Sequence, residues 1–337
     1  MMLPTSREFP PHQRLRMDIE LSSICNFKCP ICPHAYKGKE RARLTLGAPF
    51  TRPGRFIEPE VFRRAVEEAN RVAEVVEIGF FGEQTLHRRY HEYVRALKTR
   101  RFRLETNTNL SRVTQKTFET WMEAEMDLLR LSSDAITPEV FNRARPGSVH
   151  DMNGNRVDEA DRMAAINEKI HAWLAIPNHR PTRIVFVRSS HNRGEEEPFI
   201  DYWQPFLGPN DCILVKQVLT YGGVVDDSEV LAHRCNVWEQ RYLMVAVNGD
   251  VTPCNLDVNI QLHLGNIMDD SIENLYNGPI ARWLRLRTGC GNDLTPCRTC
   301  VDGNNWSKNR RINPLPAAQR APSTGFSMPP ASVLMRR

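Results

Sequence analysis

The stretch Cys25-Asn26-Phe27-Lys28-Cys29-Pro30-Ile31-Cys32 holds three cysteines at C-x3-C-x2-C spacing. A loop this short folds readily around one point, so the three thiolates can bind a single metal centre. A four-iron cubane normally takes four thiolates, so three cysteines leave one iron corner open. An open coordination position is typical of a reactive metal site. The alternatives are a disulfide loop or a zinc knot, although zinc usually takes four ligands in C-x2-C pairs.

This cysteine spacing is the signature of the radical S-adenosylmethionine (SAM) enzymes, and the sequence resembles that superfamily here. In that family the open iron binds the amino and carboxylate groups of SAM. An electron from the cluster then cleaves SAM to a 5′-deoxyadenosyl radical, which abstracts hydrogen from a substrate. The resemblance implies a [4Fe–4S] cluster on Cys25, Cys29 and Cys32, with SAM as a second cofactor.

Length and composition are those of a globular protein with a large and a smaller domain. The chain has 337 residues, of which 41% are hydrophobic and 25% charged, and its net charge is +5. No apolar run approaches the ~18 residues that span a membrane. The N-terminus carries no apolar signal segment, so we expect a cytoplasmic protein. Nine cysteines in such a protein indicate metal ligands more readily than disulfides.

Basic residues cluster between Lys37 and Arg55. Such a cluster can face an anionic substrate or nucleic acid. A solvated loop explains it better, because the same segment is rich in glycine and proline. We therefore expect no nucleic-acid partner and no membrane partner.

Apolar segments of strand length alternate with helical segments over the first two thirds of the chain. Alternation of this kind predicts parallel strands joined by crossover helices. The count of six strands resembles the partial (β/α)6 TIM barrel of radical SAM cores, and we expect this core over residues 14–220, after an irregular lead-in at 1–13. In such sheets ligands gather at the carboxyl ends of the strands, where the cysteine loop lies. The predicted strands are Arg14 to Leu21, Val75 to Phe81, Phe102 to Thr106, Leu128 to Leu131, Arg183 to Arg188 and Cys212 to Val218.

Gly82 and Glu83 follow the second predicted strand. They resemble part of the G-G-E-P segment that holds the SAM ammonium in the superfamily, although Phe81 and Gln84 replace its first glycine and its proline. A carboxylate at this place can accept a charge-assisted hydrogen bond from a cationic amine. The resemblance therefore implies that Gly82 and Glu83 contact SAM.

Two further strand ends carry candidate SAM contacts. Ser132 and Asp134, after the fourth strand, resemble the S-x-D segment that meets the SAM ribose, but they would also serve to cap the next helix. Arg188 and Asn192, after the fifth strand, lie where the family often contacts the carboxylate or ribose of SAM. Arginine binds a carboxylate through two parallel hydrogen bonds, and the alternative is an ordinary solvated loop.

A second cysteine set lies near the C-terminus. Asn248-Gly249 between apolar stretches predicts a β-hairpin, which would return Cys254 toward Cys235. A predicted helix from Ile272 to Leu286 leads to the C-x2-C pair. Four thiolates bind either zinc or an iron–sulfur cluster. The set consists of Cys235, Cys254, Cys297 and Cys300.

The second set resembles the twitch domain, the shortened SPASM domain that follows many radical SAM cores and holds one auxiliary [4Fe–4S] cluster. We expect residues 221–306 to form this small α+β iron–sulfur domain and residues 307–337 a proline-rich tail, disordered or draped on the surface. The nearest cysteine pattern is that of the 2-deoxy-scyllo-inosamine dehydrogenases, which oxidise an aminocyclitol. Cys290 and Cys212 lie outside the set. Cys290 is a plain thiol, a hydrogen-atom donor to a substrate radical, or a replacement for one of the four ligands.

The resemblance implies a radical SAM oxidoreductase that acts on a small polar metabolite. An auxiliary cluster that takes one electron suits the oxidation of an amino sugar or aminocyclitol alcohol to a ketone. The implied protein partner is an external electron donor such as flavodoxin or ferredoxin. The alternatives are a redox-neutral epimerase, dehydratase or decarboxylase of a sugar, a peptide-modifying enzyme, and a zinc-stapled binding protein. The short segment before Cys25 argues against peptide modification.

Overall fold

The computed structural model describes residues 14–36, 50–227, 234–302 and 309–320, and one ten-stranded mixed sheet runs through them. Six consecutive strands pair in parallel, each with the next in the chain. The prediction of six parallel strands is therefore confirmed. They are β1 (Leu15–Ile19), β2 (Ala73–Ile78), β3 (Arg103–Thr108), β4 (Leu128–Ser132), β5 (Thr182–Arg188) and β6 (Cys212–Gln217).

Helices connect these strands, as the alternation of apolar and helical segments in the sequence predicts. The first begins at Pro59, whose missing N–H costs nothing in the first turn of a helix. Among the described residues, no helix combines the length and the apolar character needed to cross a membrane. The connecting helices are α1 (Pro59–Val72), α2 (Tyr90–Ala96), α3 (Gln115–Glu123), α4 (Pro138–Ala144), α5 (Arg162–Leu174) and α6 (Glu196–Trp203).

The two faces of the parallel sheet differ in polarity because side chains alternate along a strand. On β1, Met17 and Ile19 are fully buried in the main hydrophobic core, together with residues of the helices. The intervening Arg16 instead donates to Glu77 of β2 (3.1 Å) and Glu105 of β3 (2.8 Å). One face therefore packs against the helices, and the other is lined with charged groups.

The charged face is curved like the inside of a partial barrel. Burial lowers the pKa of Lys216 on β6 to about 8. The charges of Arg130, Glu77 and Arg16 also act on this pKa, although Arg16 is on β1, at the other end of the row of parallel strands. Side chains from the first and last parallel strands therefore approach each other across this face. We call this charged, concave side of the sheet the lumen.

The C-terminal part of the described chain extends the same sheet. β7 (Tyr242–Val245) pairs in parallel with β1, and it forms an antiparallel hairpin with β8 (Asp250–Thr252), which pairs in turn with β9 (Gly265–Asn266). The hairpin predicted at Asn248-Gly249 is confirmed, and Gly249 has the positive φ of +88° that such a turn favours. The second cysteine set is thus built directly against the core.

One expectation about the C-terminal region is wrong. The helix predicted from Ile272 to Leu286 is two helices, α7 (Ile272–Asn277) and α8 (Pro279–Arg287). Gly278 is extended because it precedes Pro279, which disfavours helical backbone before it. In the predicted tail, β10 (Arg310–Ile312) pairs antiparallel with β6, so this part of the tail lies along the edge of the sheet. Residues 307–308 and 321–337 of the tail lie outside the described residues, as do residues 37–49 of the basic cluster and the predicted lead-in at 1–13.

Substitution of Arg130 tests whether the carboxylates of the lumen depend on their arginine partners. The pKa of Glu77 lies below its usual value. Burial alone would raise this pKa, but the charges of Arg130 and Arg16 lower it by more. Because Arg130→Met leaves carboxylates in the lumen short of a cation, we expect it to lower the free energy of unfolding by about 3–5 kcal/mol. The matched control is Arg63→Met, which breaks an exposed pair with Glu67 and should cost less than about 1 kcal/mol. Chemical denaturation measures both, and equal losses would contradict the account.

Candidate functional site

The cysteine loop follows the carboxyl end of β1, at the edge of the sheet where ligands of parallel folds gather. Burial raises the pKa of all three thiols, that of Cys32 to about 12, and the Cys32 and Cys29 charges raise the pKa of Cys25 further. The three sulfurs are therefore near enough for their charges to interact, although among the described residues no three ligand side chains group around one point as a single metal ion would require. Two N–H donors, the Phe27 amide (3.4 Å) and the Asn109 side chain (3.7 Å), point at the sulfur of Cys25. Three neighbouring sulfurs with N–H donors fit an iron–sulfur cluster that leaves one corner open.

The side chain of Asn26 holds the loop in place. Its amide nitrogen donates to the Ser148 carbonyl at 2.6 Å and to the Ser111 hydroxyl at 2.9 Å. The amide of Lys28 donates to the Pro146 carbonyl at 2.7 Å. The loop is thus tied both to the segment after β3 and to the segment after α4.

Gly82 packs directly against the chain that leads into the cysteine loop. A Cβ atom at Gly82 would lie 1.8 Å from the carbonyl oxygen of Ser22 and 2.8 Å from that of Ile24. The next residue, Glu83, donates its N–H to the same Ile24 carbonyl at 2.8 Å. Only glycine therefore allows the end of β2 to approach the loop this closely.

Gln84 fixes the same segment from its other side. Its side-chain oxygen accepts from the amides of Leu21 (2.7 Å) and Ser22 (3.0 Å), and the side chain is fully buried. In the sequence, Gln84 stands out only because it replaces the proline of the G-G-E-P segment. In the structure it positions the backbone that leads to Cys25.

The buried carboxylate of Glu83 joins the ends of β2 and β3. One oxygen accepts from the hydroxyls of Thr85 (2.6 Å) and Thr108 (2.8 Å), and the other accepts from the amide of Asn109 (2.7 Å). The side chain of Asn109 in turn reaches the sulfur of Cys25. Glu83 is therefore beside the cysteine loop, and its contact with SAM stays a prediction.

Arg145 is a site residue that the sequence analysis missed. It forms a buried ion pair with Asp134, and its guanidinium carbon lies 5.4 Å from the ring centroid of Phe27. Burial raises the pKa of Cys29, and the Arg145 charge opposes this effect, so the cation lies near the cysteine loop. Its buried Nε has no hydrogen-bond partner among the described residues. No pattern in the sequence separates Arg145 from the exposed Arg143.

Three of the other four predicted SAM contacts, Asp134, Arg188 and Asn192, have partners within the protein. Asp134 has a φ of +63° and accepts from the Val187 amide at 2.6 Å, and its carbonyl accepts from the buried side chain of Asn192 at 2.9 Å. Arg188 donates twice to Glu196, at 2.5 and 2.7 Å. Ser132 is half-buried at the end of β4. Asp134 and Asn192 thus come together, whereas Arg188 is held by a carboxylate, and the roles of all four in SAM binding stay predictions.

The second cysteine set lines one cavity. Cys254 follows the β7–β8 hairpin, and Cys290 follows α8 by three residues. Over the described ranges, no three ligand side chains group around a point as a single metal ion would require. Sulfurs spread around a cavity fit a larger group with separate metal corners. The cysteines of the cavity are Cys235, Cys254, Cys290, Cys297 and Cys300.

The fifth cysteine, Cys290, is the unexpected member of this cavity. The pKa of Cys235 and the pKa of Cys300 are both raised. The main cause is hydrogen bonding with Cys290, and burial raises both pKa values further. Cys212 is instead buried on β6, where Arg311 and Arg183 are its charged neighbours. The prediction that Cys290 donates hydrogen to a substrate radical remains untested.

The lumen carries polar atoms that its internal ion pairs leave unused. Burial raises the pKa of Asp18 to about 8, and the Tyr242 hydroxyl donates to one oxygen of Asp18. Glu20, beyond the end of β1, pairs with Arg52. Among the described residues, the second oxygens of Asp18 and Glu20 and the Nη1 of Arg52 are buried without a hydrogen-bond partner. Buried polar atoms of this kind are expected to meet a ligand or ordered water.

Comparison with known families agrees with this geometry. The model of the Radical SAM superfamily matches residues 19–171, and that of the SPASM iron–sulfur cluster-binding domain matches residues 235–301. The two matched regions contain both predicted cysteine sets. The chain is a radical SAM enzyme with a C-terminal SPASM-type domain, and its cofactors are SAM and [4Fe–4S] clusters.

A curated relative is the tungsten-containing aldehyde ferredoxin oxidoreductase cofactor-modifying protein of Pyrococcus furiosus. It is 21% identical over an alignment of 331 positions, and the alignment covers 84% of this chain and 85% of the relative. A solved structure of BtrN with AdoMet and 2-DOIA has a TM-score of 0.54 at 15% identity and covers 88% of this chain and 96% of its own. SuiB from Streptococcus suis, bound to S-adenosylmethionine, has a TM-score of 0.59 at 14% identity, with 86% and 72% covered. The likeness to these structures shows the fold.

Gly82→Ala tests the contact between β2 and the cysteine loop. Because the added methyl group meets backbone at 1.8 Å, the loop must shift, and we expect iron bound after anaerobic reconstitution to fall by about four per chain. The control is Gly79→Ala, whose Cβ meets only the side chain of Asn107 at 3.1 Å and should leave the iron content unchanged. Circular dichroism checks that both variants fold. Full iron loading of the Gly82 variant would contradict the assignment.

Proposed function

We propose that this enzyme oxidises a hydroxyl group of an amino sugar or aminocyclitol to a ketone. The observation that carries the proposal is the set of buried, unpartnered polar atoms of Asp18, Glu20 and Arg52, close to β1 and the cysteine loop that follows it. Two carboxylate oxygens and one guanidinium N–H suit a small ligand with ammonium and hydroxyl groups. A small polar metabolite therefore suits this part of the lumen better than an apolar one.

The bound cofactors supply the hydrogen-abstracting radical and, at the auxiliary site, an acceptor for one electron. The oxidation balances when the substrate carbinol loses one hydrogen atom, one proton and one electron. Asp18 is the candidate for the proton, because a carboxylate whose pKa is near 8 is suited to proton transfer close to neutral pH. An external flavodoxin or ferredoxin supplies the electron that starts each turnover.

Glu20 and Arg52 bind and orient the substrate. Glu20 accepts from the substrate ammonium or a hydroxyl, and Arg52 donates to a second hydroxyl. Burial raises the pKa of Asp257 and the charge of Arg52 opposes this effect, so Arg52 lies near Asp257, whose charge adds to burial in raising the pKa of Cys254 of the cysteine cavity. The free Nε of Arg145 is suited to the carboxylate of SAM.

Apart from S-adenosylmethionine, the molecules bound in the related structures are of two kinds. The BtrN structure contains 2-DOIA, whereas structures of SuiB and anSMEcpe contain peptides. The proposal follows the first kind because the unused polar atoms are buried and few. A peptide-modifying activity is the outcome that the substrate screen would reveal if the proposal fails.

Asp18→Asn tests the proposal. With SAM, a strong reductant and a panel of amino sugars and aminocyclitols, the wild type should form ketone and 5′-deoxyadenosine in equal amounts. Because the variant lacks the proton acceptor, ketone formation should fall by about 10²-fold or more, while SAM cleavage continues. Glu139→Gln, at an exposed carboxylate on α4, is the control and should leave both products unchanged. An epimer in place of the ketone would favour a redox-neutral reaction, and modified peptide would exclude the proposed substrate class.

The pKa of Asp18 also predicts two opposite pH dependences. The carboxylate form accepts the proton, so ketone formation should rise as the pH increases through about 8. Folding favours the protonated form, because the folded pKa lies above the usual 3.8, so the stability that Asp18 contributes is lost as the pH rises through about 8. Rate profiles and thermal melts from pH 6 to 9 measure both. The Asp18→Asn variant should lack both trends, and identical profiles for the two proteins would contradict the assignment.

A further inference from the structure

We propose that Cys290 is a thiol hydrogen-bond donor to the auxiliary cluster, bonded to the sulfur of Cys300, and that it raises the reduction potential of the cluster. Cys290 is thus a positioning residue at the auxiliary site and not a fifth ligand. The inference rests on the auxiliary cluster of the proposed function, but it does not depend on the identity of the substrate.

The geometry of the cavity carries the inference. Five cysteines line the cavity, and a cubane takes four thiolates. The sulfur of Cys290 lies 3.9 Å from that of Cys300, within hydrogen-bond range for two sulfur atoms. Ligands on separate corners of a cube point away from one another, so their sulfurs lie farther apart than two sulfurs in contact. With their sulfurs this close, Cys290 and Cys300 therefore do not bind two iron corners of the same cubane.

The chain around the cavity indicates which cysteine is the extra one. Cys297 and Cys300 lie on one short helical turn, and the β7–β8 hairpin connects Cys235 to Cys254. These four form two pairs, each held by a local element. Cys290 belongs to neither pair and follows α8 in an irregular segment, where the next residue, Gly291, donates its N–H to the Cys297 carbonyl at 2.8 Å. Cys290 is thus placed beside the ligands by backbone contacts of its own.

The direction of the hydrogen bond follows from the chemistry of the ligands. A cysteine that binds iron does so as a thiolate, which can accept a hydrogen bond but not donate one. With Cys300 as a ligand, the proton of the pair must therefore lie on Cys290. A hydrogen bond to a ligand sulfur stabilises the more negative, reduced cluster and raises its reduction potential. A higher potential favours transfer of the electron from the substrate radical to the auxiliary site.

The test measures iron, sulfide and reduction potential in the full-length chain. Cys25, Cys29 and Cys32 are all replaced by Ala, so that the auxiliary cluster is observed alone, and Cys290→Ala and Cys290→Ser are added separately. We expect about four irons per chain in every protein. In a redox titration followed by electron paramagnetic resonance, Cys290→Ala should have a lower potential than the parent. Cys290→Ser, whose hydroxyl can still donate, should recover part of the difference.

Cys212→Ala in the same background is the matched control, since it removes a buried thiol outside the cavity. It should change neither the iron content nor the potential. Loss of iron in Cys290→Ala would overturn the inference by making Cys290 a ligand, and an unchanged potential with full iron would overturn it as well. Both readouts are independent of substrate, so failure to find an oxidised amino sugar would count against the proposed function alone.

Discussion

The close approach of Gly82 to the carbonyl of Ser22 is the contact on which the site depends. It lets the end of β2 lie against the chain entering the cysteine loop, and it brings Glu83 within reach of the segment after β3. That segment carries Asn109, whose side chain reaches the sulfur of Cys25. A single backbone contact thus orders three neighbouring strand ends around the three thiols. A side chain larger than hydrogen at Gly82 would separate them.

The charged lumen is the second constraint, because burying charge is costly unless each charge has a partner. Arg16 and Arg130 offset Glu77 and Glu105, and this internal pairing leaves Asp18 as a carboxyl whose pKa burial raises to about 8. The core sheet tolerates a polar interior because its other face supplies the hydrophobic core. Binding capacity in the lumen therefore resides in the few polar atoms left outside the ion pairs.

Local patterns predicted most of the fold and both cysteine sets, whereas contacts between distant segments could not be predicted. Strand alternation and the Asn248-Gly249 turn are local signals, and the structure follows them. The break at Gly278-Pro279 is a local signal as well, because proline disfavours helical backbone at the residue before it. Pairing of Arg310–Ile312 with β6, the position of Arg145 beside Cys29 and the convergence of Cys290 on Cys300 depend on residues far apart in the chain or on exact loop geometry. One sequence contains no signal for these.

We expect the two separate cysteine sets to hold two clusters. Iron and sulfide analysis after anaerobic reconstitution tests this expectation most directly, on the wild type, on Cys25/Cys29/Cys32→Ala and on Cys254/Cys297→Ala. About eight irons are expected in the wild type and about four in each variant, with SAM cleavage lost in the first variant and retained in the second. About four irons in the wild type, with none left in the first variant and no change in the second, would contradict it.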